Sequence, residues 1–265
     1  MSNQFKNDLE KYFHLNEDKF IYKLNNYFEV YDKHFSRYRN KQVNILEIGV
    51  AHGGSLQMWK SYFGPQAKIF GVDVNVNCKK LEEENIKIFI GSQSDRNFLR
   101  ELKKQIPKVD IIIEDGGHMM SQQIISFEEL YDHVKEDGVY LCEDIFTSYW
   151  LNYGGGVKRR GTFIEYSKNF IDWLHAYHSK QSIYKPNNFT LSTQSIHFYD
   201  GIVVLEKGKH EKTFPVKSGN YTLETDETGL IRGSGEIKAE KLTKRFITFI
   251  NIFLRLFKLK SYKWY

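Results

Sequence analysis

The chain has 265 residues, 41% hydrophobic and 27% charged, a size and balance that suit one large α/β domain or a domain with an appendage. The net charge of +5 is unevenly placed. Residues 239–265 hold seven Lys/Arg against Glu240 alone, leaving 31 basic against 32 acidic residues elsewhere, so a nucleic-acid-binding core is not indicated. Only two cysteines occur, Cys78 and Cys142, which makes neither a disulfide framework nor a zinc pattern and points to a reducing, cytoplasmic setting. The opening "MSNQFKNDLEKYF" lacks the apolar core of a secretion signal. No uninterrupted apolar stretch approaches the roughly 20 residues that span a bilayer.

In chain order, residues 1–40 read as a polar–aromatic helical cap. From residue 41 to 207, short apolar runs alternate with amphipathic segments. Strands are predicted at 44–50, 68–74, 86–91, 109–115 and 138–144. Helices are predicted at 55–63, over "NCKKLEEE", at 95–106 behind an Asp95 N-cap, at 121–134 and at 162–178. Continuous apolar runs separated by helices imply parallel strands covered on both faces, a Rossmann-like doubly wound sheet. "SIHFYDGIVVLEK" (195–207) holds two runs around Asp200-Gly201, so the sheet should end in an antiparallel hairpin pair. Residues 208–238 read as a linker or small appendage, and 239–265 as a basic amphipathic helix.

The first strand runs into Glu47-Ile48-Gly49-Val50-Ala51-His52-Gly53-Gly54-Ser55. Glycines at a strand-to-helix turn let a ligand approach the backbone, and the helix start favours polar or anionic groups. Asp73, ending the second strand, is placed to bond ribose hydroxyls, which suits a nucleoside-containing cofactor. Ala51 breaks the G-x-G-x-x-G of dinucleotide enzymes. Glu47 would repel a pyrophosphate but suits a cationic amino-acid end, which favours S-adenosylmethionine over NAD. Ser92 and Gln93 in "GSQSD" (91–95) are candidates to contact adenine, and Asp95 fits a helix cap as well.

The segments "LEIGVAHGGSLQMWKSYF", "IFGVDV", "GSQSD", "IIIEDGGHM", "CEDIFTSYW" and "YGGG" follow one another with spacings that resemble the metal-dependent class I S-adenosylmethionine O-methyltransferases acting on macrolide sugars. This is the mycinamicin type, with cephalosporin-hydroxylase-like relatives. The resemblance covers roughly residues 20–206. It implies an O-methyltransferase that uses S-adenosylmethionine and Mg²⁺ on a sugar or glycan hydroxyl.

Asp115 ends the fourth strand and Glu143-Asp144 end the fifth. Neighbouring strands lie roughly 4.8 Å apart, so three carboxylates would converge where such sheets bind ligands. Unpaired, they would raise one another's pKa, and a hard divalent cation resolves the conflict. The resemblance carries Mg²⁺ ligation to Asp115, Glu143 and Asp144, with Asp115 also bordering the cofactor. Strict alternation would splay Glu143 and Asp144, so both bind only where the strand has ended. Glu114 points away. His118 follows across Gly116-Gly117, which let the imidazole fold back over the metal. It is the candidate general base that takes the proton of a substrate hydroxyl, whose oxygen then attacks the sulfonium methyl. The loop 147–161 is glycine-rich and basic and could close over substrate, with Arg159 and Arg160 facing a phosphate or carboxylate.

In the tail, Lys241, Lys244, Thr248, Asn251, Arg255 and Lys258 share one helical face. Leu242, Phe246, Phe249, Ile250, Phe253, Leu256 and Phe257 share the other. That pattern suits a helix lying in an anionic membrane surface, on the inner face, and equally a helix packed on protein, a second copy of the chain included. Two other classes of function stay open at this point: a nicotinamide-dependent oxidoreductase or epimerase, and a non-catalytic, membrane-attached binding module.

Overall fold

The structure is a computed structural model that describes residues 5–181, 183–220 and 238–256. The chain divides into two compact units, Met1–Thr213 and Phe214–Tyr265. In the first, helices α1 (Asp8–Leu15) and α2 (Tyr27–Phe35) precede strand β1 (Asn44–Ile48). There follow α3 (Gly54–Phe63), β2 (Lys68–Asp73), β3 (Ile86–Ile90), α4 (Arg96–Gln105), β4 (Val109–Glu114), α5 (Met120–Leu130) and β5 (Val134–Cys142). Helices α6 (Phe163–Leu174) and α7 (Asn188–Ser192) lead to β6 (Thr193–Phe198) and β7 (Val203–Lys207). The second unit contributes α8 (Lys238–Leu256).

The seven strands lie in the order β3-β2-β1-β4-β5-β7-β6. β1 to β5 pair in parallel, and β7 runs antiparallel to both β5 and β6. The order reverses between β1 and β4, which opens the ligand crevice beyond the carboxyl ends of those strands. Alternate residues of each strand feed opposite cores. Ile45, Ile111, Ile113 and Leu141 pack with Tyr31, Phe35, Trp59 and Phe63 of α2 and α3. Leu46, Ile48, Ile112 and Tyr140 pack with Leu99, Phe127 and Phe170 of α4 to α6. Burial on both faces is why these strands read as unbroken apolar runs.

The expected doubly wound sheet and its closing hairpin are present, and the hairpin turn is Asp200-Gly201, bracketed by Tyr199 N–H to Ile202 O at 2.8 Å. Asp95 caps α4 by accepting from the amides of Asn97 and Phe98, a contact typically worth about 1 kcal/mol. The strands expected to end at 50, 115 and 144 stop one or two residues earlier, at Ile48, Glu114 and Cys142, and three larger differences from the sequence reading remain. "NCKKLEEE" folds as 3₁₀ turns over Val76–Leu81, entered through an Asn75 side-chain cap. The helix predicted to 134 ends at Leu130, because Val134 is fully buried and pairs with Val109 as the start of β5. A register shift then leaves Lys135–Asp137 outside the regular ladder. The helix predicted to 178 stops at Leu174, where His175 leaves helical geometry at ψ 10°.

Residues 208–220 carry no helix or strand, and 221–237 of the expected linker lie outside the described residues. Most of the expected terminal helix is present as α8; residues 257–265 lie outside the described residues. No helix among the described residues is long and apolar enough to cross a membrane.

Candidate active site

The turn after β1 is built by close approach. Gly49 has φ +97°, and a Cβ there would stand 1.9 Å from the backbone oxygen of Asp115, so only glycine lets this turn press against the loop after β4. Ala51 is left-handed at φ 46°. Asp73 holds it there, its Oδ2 accepting from the amides of Val50 (3.0 Å) and Ala51 (2.9 Å) while Oδ1 accepts from Asn75 N–H. Beneath the turn Glu47 is fully buried and accepts from Ser55 Oγ and Trp59 Nε1, both at 3.0 Å. Burial pushes its pKa up to about 7, against the opposing pull of Lys23, Trp59 and Ser55.

The tips of β4 and β5 carry the acids. Asp115 N–H donates to Ile48 O and Glu143 N–H to Glu114 O, both at 2.9 Å, so the acids continue the strand alignment one residue past the sheet. Asp144 and His118 are both left-handed, each with φ 53°. Left-handed geometry costs a non-glycine residue on the order of 1–2 kcal/mol and persists where surroundings impose it. Thr147 supplies that restraint, with Oγ1 3.0 Å from the His118 carbonyl and 2.8 Å from the Asp144 carbonyl. Gln123 Nε2 donates to the Glu143 carbonyl at 2.9 Å.

The N-terminal segment closes over these acids. Lys23 Nζ bonds Asp115 Oδ2 and both oxygens of Glu143, at 3.0 and 2.8 Å for the latter, with its side chain 2% exposed. Tyr31 OH donates to Glu143 Oε1 at 2.7 Å and Tyr27 OH to Asp144 Oδ1 at 2.6 Å. Burial disfavours the Lys23 charge, but Asp115, Glu143 and Glu47 outweigh it and push its pKa upward. Burial raises the pKa of Asp115 and, helped by the Asp115 charge, of Glu143.

A cavity of about 400 Å³ opens above, lined by Ser55 and Val50–His52 on one side and by Asp115, His118, Glu143 and Asp144 at the floor. Phe20, Tyr22, Phe146, Trp150 and Tyr153 complete its wall. Ligand atoms of Asp115, His118 and Asp144 all lie within 4.8 Å of one another. His118 Nε2 stands 3.4 Å from Asp144 Oδ2 and 3.8 Å from Asp115 Oδ1, and its Nδ1 is buried with no hydrogen-bond partner among the described residues. Clustered carboxylate oxygens beside an orphaned imidazole are a donor set that fits a hard divalent cation.

No protein-family model matches the chain. It is 34% identical over 193 residues to mycinamicin VI 2''-O-methyltransferase of Micromonospora griseorubida, covering 69% of this chain and 48% of that protein. It is 37% identical over 198 residues to a tetracenomycin-C 3'-O-methyltransferase of Streptomyces olivaceus, covering 70% and 50%. The MycE methyltransferase of the mycinamycin pathway, solved with Mg, SAH and mycinamycin VI, superposes with a TM-score of 0.70 at 30% identity, over 83% of this chain and 57% of that one. The fold is that of the class I methyltransferases, and the chain is similar in sequence to these O-methyltransferases over about 70% of its length. It spans about half the length of the curated relatives it matches.

Within this methyltransferase fold, Ser55, Asp115, His118, Glu143 and Asp144 meet at one cavity. Gly49 and Gly53 shape the turn beside it. Glu47 lies below the turn, and Asp73 is engaged in holding it. Ser92 accepts from the Ser94 amide outside the cavity lining. Gln93 is buried, donating to Glu114 Oε1 at 2.5 Å and accepting from Gly117 N–H at 2.9 Å, so it braces the glycine pair that carries His118. Glu114 points away from the cavity, to Gln93 and to Cys142 Sγ at 2.9 Å. Glu143 is the acid most fully taken up by protein partners. In the loop, Arg159 Nη1 donates to Gly155 O at 3.2 Å.

Sequence reading missed Lys23, Tyr27, Tyr31 and Thr147. Tyr27 and Tyr31 stand four apart on α2, a spacing that places both on one helical face. Lys23 sits in a stretch without regular structure, so no periodicity marked it.

Proposed function

We propose that this chain transfers a methyl group from S-adenosylmethionine to a sugar hydroxyl, aided by Mg²⁺. The acceptor is a glycan or a sugar-bearing natural product, and the capsule or lipopolysaccharide of a cell surface is included in that class. The observation that carries the reading is the convergence of Asp115, His118 and Asp144 on a cavity bordered by the glycine turn. The named functions of the relatives support the acceptor class, since they methylate sugars of mycinamicin and tetracenomycin.

In this reading the glycine turn and Ser55 border the methyl donor, with Glu47 behind them, holding the Ser55 hydroxyl. Bound S-adenosylmethionine supplies an electrophilic methyl, and a divalent ion held by Asp115 and Asp144, with Glu143 behind them, supplies charge that lowers the pKa of an acceptor hydroxyl. His118 takes the hydroxyl proton on its imidazole. Asp144, 3.4 Å from His118 Nε2, stabilises the imidazolium that results. Phe146 and Trp150 shield the cavity wall from water, and holding acceptor and donor in line contributes much of the rate. A second proposal concerns α8: its exposed Phe246, Phe249, Phe253 and Leu256 support peripheral docking on an anionic membrane.

The test is incubation with labelled S-adenosylmethionine and a panel of nucleotide sugars and glycans, with and without EDTA. Methyl transfer that EDTA abolishes and that Asp115→Ala reduces at least 100-fold is expected. Full, EDTA-resistant activity in Asp115→Ala would overturn the metal-assisted reading.

A further inference from the structure

The acid cluster divides in two. Asp115 uses its oxygens in opposite directions, Oδ2 to Lys23 and Oδ1 toward His118. Glu143, 1% exposed, is gripped by Lys23 and Tyr31. The Asp144 carboxylate is bonded by Tyr27 through Oδ1 and offers Oδ2 to the cavity side. One half is therefore closed by a buried ammonium, and the other holds the donor atoms that could bind an ion. Three carboxylates carry −3, and Lys23 returns one positive charge, leaving −2.

We propose that Lys23 is the resident counter-ion of this cluster, setting its residual charge so that the site takes one divalent cation and holds it weakly enough to be tuned. This rests on the metal site proposed above. The geometry supplies the reasons. An ammonium 2.8 Å from Glu143 occupies that carboxylate with hydrogen bonds an incoming ion would have to displace. Its charge also repels any cation beside Asp115, at low local dielectric and with little screening. The segment that delivers it is fixed: the carbonyls of Lys19 and Phe20 lie where a Cβ on Gly54 would stand, 2.5 and 2.4 Å away. The segment just before the lysine is thus seated against the start of α3. Its role is that of a positioning residue, since it touches the acids and lies outside the reacting groups.

The experiment is calorimetric titration of the full chain with Mn²⁺ and, separately, Tb³⁺ luminescence, on wild type, Lys23→Gln and Lys23→Arg. Glutamine keeps a donor to Glu143 and removes the charge, whereas arginine keeps the charge. Lys23→Gln is expected to bind Mn²⁺ at least tenfold more tightly than wild type, and Tb³⁺ to gain more than Mn²⁺. Lys23→Arg is expected to stay within threefold of wild type. Unchanged or weaker Mn²⁺ binding by a folded Lys23→Gln overturns the proposal, as does an equal gain in Lys23→Arg. Should neither variant fold, wild type carries the test. One Mn²⁺ per chain supports it, and two at this cluster overturn it. A wild type that binds no ion at all instead sinks the metal reading on which the proposal stands.

Discussion

Glu47 is a carboxyl group with no exposed surface, held between a serine hydroxyl and an indole N–H. Its pKa, raised from 4.5 to about 7 by burial, makes it a brake on stability. The protonated folded form is favoured, so its contribution is fully present below pH 4.5 and lost as pH rises through about 7. Between pH 5 and pH 8 this one group should remove about 2 kcal/mol of stability. Urea unfolding at both pH values should show Glu47→Gln losing that much less than wild type, with equal losses ruling the effect out. A bound ammonium at Glu47 would offset the cost by favouring the ionised form. The residue type was readable as a partner for a cationic group. Its burial was not, because the indole that covers it comes from Trp59, twelve positions on and one turn of α3 beyond Ser55.

At the scale of elements, the loops after β4 and β5 act as one unit. Thr147 binds the carbonyls of both left-handed residues, and Gln93 binds the Gly117 amide. Thr147→Val keeps the shape and deletes the donor, leaving carbonyls that a buried hydroxyl had served. A loss of 1–3 kcal/mol is typical for such a change (about that range). Methyl transfer should fall about tenfold as His118 and Asp144 relax from the geometry that φ 53° imposes. Wild-type melting temperature and rate in this variant would remove Thr147 from the site's support. The strands themselves were legible because burial on both faces writes itself as apolar runs. The start of β5 was not, since Val134 joins β4 across a register shift that only the neighbouring strand creates.

At the scale of the molecule, the basic tail stands apart from a nearly neutral remainder. Among the described side chains of α8, Phe246, Phe249, Phe253 and Leu256 recur at the spacing of one helical face and are exposed. If that face enters a membrane, a chain lacking residues 239–265 should lose sedimentation with vesicles containing phosphatidylserine and keep methyl transfer. Equal lipid binding by the shortened chain would exclude the membrane role. The similarity to the curated relatives spans about half of their length.

The amino-acid sequence by itself determined the sheet, the glycine turn, the three acids and His118, because each depends on periodicity or on residues close in the chain. Tertiary structure alone decided which acid faces which partner. Lys23 and Asp115 are 92 positions apart, and Tyr31 and Glu143 are 112 apart. No local pattern encodes such pairs. They arise because α2 and the segment before it pack over the carboxyl ends of β4 and β5, where desolvation makes an unpaired carboxylate costly and selects the nearest donor.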